Sequence, residues 1–130
     1  MPHVTPCVVF KGSTARFQAR LLAPDASNLQ RADVETITYT IYALDPANED
    51  TQTAVEGHED VALTVADVVW DALQTDARWT VDTTGYNFAA TIDISTNAAF
   101  AVRGTKYLVE FVFTPPTGQA FKVQFRALVI

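Results

Sequence analysis

Residues 106–129 alternate between apolar and mixed positions with a period of two, interrupted once by a turn-forming stretch. Tyr107, Val109, Phe111 and Phe113 fall on one side of the first run, and Phe121, Val123, Phe125, Ala127 and Val129 on one side of the second. Between them lies Pro115-Pro116-Thr117-Gly118-Gln119. Successive strand residues point to opposite faces, so the pattern predicts a long antiparallel hairpin with one aromatic-aliphatic face. Matching the faces sets the register: Phe113 opposite Phe121, Phe111 opposite Val123, Val109 opposite Phe125. Each such pair contributes roughly 0.2–1 kcal/mol over an alanine pair, and a one-residue slip turns the whole set outward. A buried hairpin face needs a second layer to cover it, which points to a β-sandwich.

The rest of the chain supports that class. Ala15–Leu22 places Ala15, Phe17, Ala19 and Leu21 on one face and Arg16, Gln18 and Arg20 on the other. Thr36–Leu44 sets Ile37, Tyr39, Ile41 and Ala43 against a threonine-rich face. Tyr86–Ile94 repeats the pattern with Phe88, Ala90, Ile92 and Ile94. Shorter strands are expected at Cys7–Phe10, Thr51–Val55 and Trp79–Asp82, with turns at Pro24–Asn28, Gly57–Asp60 and Ser95–Asn97. One helix is expected from Thr64, with Val65, Val68, Val69, Ala72 and Leu73 at helical spacing and Asp67 near its start. The sum is an all-β, immunoglobulin-like antiparallel β-sandwich of about seven strands with one short inserted helix, forming a single domain over residues 1–130.

A 130-residue chain can bury a core without covalent staples. Cys7 is the only cysteine, so no intramolecular disulfide can form. No apolar run reaches the roughly 18 residues of a membrane span, and the first residues lack a cationic segment followed by an apolar one, so neither an anchor nor a signal peptide is expected. The net charge of −6 disfavours nucleic acid as a partner. Ten of the acids lie between Asp45 and Asp82 against one base, Arg78, giving an acidic middle between mildly basic flanks. This is a solvated face or an electrostatic docking surface.

Chemistry has few places to reside. Ser13, Ser27 and Ser95 lie in no nucleophile-elbow context, and His3 and His58 have no triad spacing. Cys7 sits in an apolar strand, as a structural thiol does. Gly57-His58-Glu59-Asp60 lacks a second histidine at ligand spacing, and the acidic loops lack a calcium-loop pattern. Neither a catalytic residue, a metal nor a cofactor is expected, and the protein reads as non-enzymatic. Trp70, Trp79, Tyr86 and Phe88 are either packing residues or an aromatic platform for sugars. Leu108, Val112, Leu128 and Ile130 are apolar on the hairpin face that should be solvated. They form a candidate interface strip, with cover by the N-terminal strand as the other reading.

Lys11-Gly12-Ser13-Thr14, the alternating strand Ala15–Leu22, a polar turn and the strand Ile37–Leu44, together with the terminal hairpin, resemble immunoglobulin-like domains of tailed-phage virion proteins. Asp71–Phe88, with its D-A-L-Q-T-D, W-T-V-D and G-Y-N-F segments, is also similar to small uncharacterised bacterial or prophage-encoded proteins. The resemblance implies a virion structural protein (head decoration, head-tail, tail or baseplate). Such a protein is made in the host cytoplasm and docks to copies of itself or other virion proteins, as a homo-oligomer or part of a larger assembly. A carbohydrate- or cell-surface-binding module is the alternative.

Overall fold

The computed structural model describes residues 3–23, 25–95 and 97–130. The positions expected to turn at Pro24 and Thr96 lie outside the described residues. Among the described residues, nine strands form two sheets. β1 (His3–Val9), β3 (Thr36–Leu44), β4 (Gln52–Ala54), β5 (Val61–Leu63), β8 (Lys106–Thr114) and β9 (Phe121–Val129) make the large sheet, in the order β1-β9-β8-β3-β4 with β5 also on β3. β2 (Ala15–Ala19), β6 (Val69–Gln74) and β7 (Tyr86–Ile92) make the small one, in the order β2-β7-β6. With the second and seventh strands together in one layer and the third, eighth and ninth in the other, this is an immunoglobulin-like sandwich.

The terminal hairpin has the register expected from its pattern: Phe113 faces Phe121, Phe111 faces Val123 and Val109 faces Phe125. Its apolar face forms the floor of the core. Where many immunoglobulin domains place an inter-sheet disulfide, rings interlock. Phe17 of β2 meets Phe111 at 6.1 Å and Phe125 at 5.1 Å, and Phe88 of β7 meets Phe111 at 5.0 Å and Phe113 at 5.3 Å. Each such side chain, fully buried, contributes on the order of 1.5–3 kcal/mol.

Three expectations are corrected. The helix is a single turn, α1 (Val65–Val68), and Val69 and Trp70 already belong to β6. A helix this short has little stability of its own. Val69 gains more by pairing with Phe88 in the sheet, where it is completely buried. Trp79–Asp82 is irregular loop, not strand: the Asp82 carboxylate accepts the Thr84 and Gly85 N–H groups locally. The sandwich is not wholly antiparallel: β1 runs parallel to β9. The chain changes sheets within the five residues between Val9 and Ala15, turning at Gly12 with φ +67°, so β1 joins the sheet edge beside β9 instead of pairing with β2.

β4 and β5 are two pieces of one edge strand. Both pair antiparallel with β3, and residues 55–60 bulge out between them opposite Thr40 and Ile41. Val55 N–H and the His58 carbonyl still bond Ile41, while Thr40 Oγ1 accepts Asp60 N–H. The sequence shows only a turn here. In the structure the strand resumes beyond it, giving β5 and raising the strand count.

Candidate functional site

The outer face of the large sheet carries the candidate strip, and the structure divides it. Leu108 is buried, with its neighbours Lys106 and Arg126 both held by Glu49. This bridge draws the 45–51 loop across the face beside Leu108 and holds the Glu49 carboxyl below its usual range, mainly through the Arg126 hydrogen bond. Val112 is half-buried between Thr38 and Lys122. Leu128 and Ile130 remain open, at 38% and 46% exposure. β1 extends the edge of the sheet and leaves this outer face uncovered.

The apolar surface is therefore a corner and not the expected strip. Val8 lies opposite Leu128 and is 60% exposed; Phe10 follows at 69%, beside Ile130 through the Ile130 N–H to Val9 carbonyl bond. Sequence reasoning missed Val8 and Phe10 because it could not place β1 alongside β9. Their alternation with Val9 was the available signal. The acids of residues 45–60 lie at the opposite edge of the same sheet, mostly exposed.

The small sheet's outer face is stitched by ions and rings. The Tyr86 hydroxyl donates to Asp76 at 2.7 Å and accepts from Arg16 at 3.3 Å. Asp82 accepts from the Trp79 indole N–H and from Arg20, and these two bonds, the indole's first, hold its carboxyl far below the usual range. The Trp70 and Trp79 rings meet Tyr86 at 88° and 47°, so their planes cannot be parallel. Tyr86 and Phe88 are buried. The arrangement clamps the 75–85 loop and offers no shared flat platform.

His58 occupies neither a cleft nor an exposed turn. The bulge carries its ring into the sandwich, where it is 2% exposed. Nε2 lies 2.7 Å from the Asn97 carbonyl and Nδ1 lies 2.8 Å from the Tyr39 hydroxyl. A carbonyl can only accept, so the proton of the neutral ring sits on Nε2 and Nδ1 accepts from Tyr39. Both nitrogens are thereby engaged. Cys7 faces the core from β1, and burial pushes its thiol up to about 11, away from reactive thiolate. Among the described residues, no three His, Cys, Asp or Glu side chains cluster as metal ligands.

No protein-family model matches the sequence, and a search of curated proteins also finds no match. Among solved structures, the chain is similar to the extracellular domain of the voltage-gated sodium channel beta4 subunit, whose parallel homodimers are described as explaining its role in cell-cell adhesion. The identity is 8% and the TM-score 0.33, over 100% of this chain and 95% of that one. The immunoglobulin-like assignment rests on this chain's own strand order. Among the described residues, no helix is long and apolar enough to cross a membrane.

Proposed function

We propose that this protein is a non-enzymatic structural module that works by docking to other protein surfaces, copies of itself included. The carrying observation is the corner formed by Val8, Phe10, Leu128 and Ile130, four large apolar side chains held open on adjacent strands. Grouped exposure of this kind marks an interaction surface, whereas single exposed apolar residues are ordinary. The phage-like opening of the sequence and its terminal hairpin support a tailed-phage virion as the setting.

Light scattering of the purified chain tests the reading. A closed oligomer that Val8→Asp or Leu128→Asp dissociates, with the fold retained, supports it. A monomer at high concentration, unchanged by either substitution, removes self-assembly. The setting is checked by mass spectrometry of purified particles from the producing phage: presence in stoichiometric amount supports a virion role, and absence overturns it.

A further inference from the structure

The large sheet overhangs the small one beside β1. Phe17 of β2 packs on Phe125 of β9, so β2 lies over β9, and the small sheet ends there while the large sheet continues to β1. A strand position next to β2, above the inner face of β1, is vacant. Two adjoining grooves of about 210 and 180 Å³ mark it, sharing Cys7, Arg16 and Phe17. Among the described residues, Arg78–Val81 line its outer side, and Val81 is 73% exposed.

The free edge of β2 has a definable chemistry. The Leu21 N–H and carbonyl both bond the Asn87 side chain of β7, so Leu21 faces β7. Backbone groups alternate in direction along a strand, so Ala15, Phe17 and Ala19 face β7 and Arg16, Gln18 and Arg20 face the vacancy. Among the described residues, no backbone partner on that side bonds Arg16 or Gln18. Two side-chain donors of the same residues, Arg16 Nε and Gln18 Nε2, are buried and have no hydrogen-bond partner among the described residues. Buried donors are rarely left so. The Arg16 guanidinium bonds only hydroxyls, those of Thr91 and Tyr86, and among the described residues forms no ion pair.

We propose that this edge receives an extended segment of another protein chain, added as a fourth strand to the small sheet. Main-chain bonds to Arg16 and Gln18 supply the pairing, as in other strand-addition complexes. The side chains of the incoming strand are specified by their neighbours. Those on the inner face lie beside Ala15 and Phe17, above Cys7, and are apolar. Those on the outer face lie beside Arg16 and Gln18 and are acidic, since opposite charges across a strand pair attract and Arg16, unlike Arg20, has no carboxylate partner among the described residues. The partner segment therefore alternates apolar and acidic residues. This inference deepens the docking reading but uses a surface separate from Leu128.

The test is an NMR titration of the ¹⁵N-labelled chain with the capped heptapeptide Thr-Val-Glu-Val-Glu-Val-Thr, followed by amide hydrogen exchange. Shifts centred on β2, with slowed exchange at the Arg16 and Gln18 amides, are expected. The same peptide with lysine for glutamate should bind at least about tenfold more weakly, a difference of about 1.4 kcal/mol. Arg16→Glu, its fold confirmed by its own spectrum, should reverse that preference. Leu128→Asp should leave binding intact, so failure of the outer-face interface and failure of this edge are told apart. Unchanged exchange at Arg16 and Gln18, shifts centred elsewhere, or equal binding of the two peptides would overturn the proposal.

Discussion

Replacing His58 by leucine tests how the bulged edge is held to the core. The substitution roughly conserves volume and apolar packing but removes both ring nitrogens. The Tyr39 hydroxyl loses its acceptor and the Asn97 carbonyl its donor. Leaving the buried Tyr39 hydroxyl unsatisfied costs about 1–3 kcal/mol, while the carbonyl of Asn97, an exposed residue, can turn to water, so the loss comes to about 1–3 kcal/mol. With a urea slope of about 1–3 kcal/mol per molar, the middle of both ranges puts the fall in the unfolding midpoint at about 1 M. Tyr39→Phe alone removes the hydroxyl and leaves Nδ1 without its donor. In the His58→Leu background the same change deletes a group that is already unpaired. It should then cost almost nothing, or stabilise. The double-mutant cycle should return a coupling of about 1–2 kcal/mol. Additivity within about 0.3 kcal/mol would refute the argument, because it would mean the two side chains do not share a bond. Two-bond ¹H–¹⁵N correlation of the native ring checks the premise directly and should show the Nε2–H tautomer.

Gly57→Ala should destabilise by about 1–3 kcal/mol in the same urea assay, because φ there is +81° and a Cβ would collide with the Asn97 side chain. Acid should release the 75–85 loop. The carboxyls of Asp76 and Asp82 are held below their ordinary value by bonds from Tyr86 and from Trp79 and Arg20, so their contribution is complete above about pH 4 and is lost as pH falls through the lowered folded values. Tryptophan fluorescence should follow that loss, and Asp82→Asn should shift it towards higher pH. Cys7 should react with a thiol reagent only slowly at pH 8 and fully once urea unfolds the chain; rapid labelling of the native protein would contradict its burial.

What the sequence discloses is whatever repeats at short range. The hairpin register, the inner faces of β2, β3 and β7, and the core rings Phe17, Phe111 and Phe125 all follow from alternation, since a strand's two faces are written two residues apart. What it conceals depends on partners far along the chain. The helical spacing from Val65 to Leu73 gave way because Val69 found Phe88 in the sheet. His58 looked like a polar turn because Tyr39 and Asn97, which satisfy its ring, lie 19 and 39 residues away. Leu108 looked exposed because nothing local announces the Glu49 bridge to Lys106 and Arg126. The apolar corner was half legible: Leu128 and Ile130 could be read from the hairpin, whereas Val8 and Phe10 needed the parallel pairing of β1.

Pro6 has a consequence for polymerisation. Val9 and Lys11 bond β9 and its extension, so by alternation Pro6 faces the solvent side of β1, where its missing N–H interrupts the edge. The β4/β5 edge is broken by its bulge, and Arg31 caps β6 through the Val69 carbonyl. Among the described residues this leaves β2 as the one regular unpaired edge. Growth into a fibre by edge-to-edge strand pairing needs two free edges on every subunit, and among the described residues this molecule has one. Edge contact between copies can close a pair and then stops, so strand pairing does not run on into filaments.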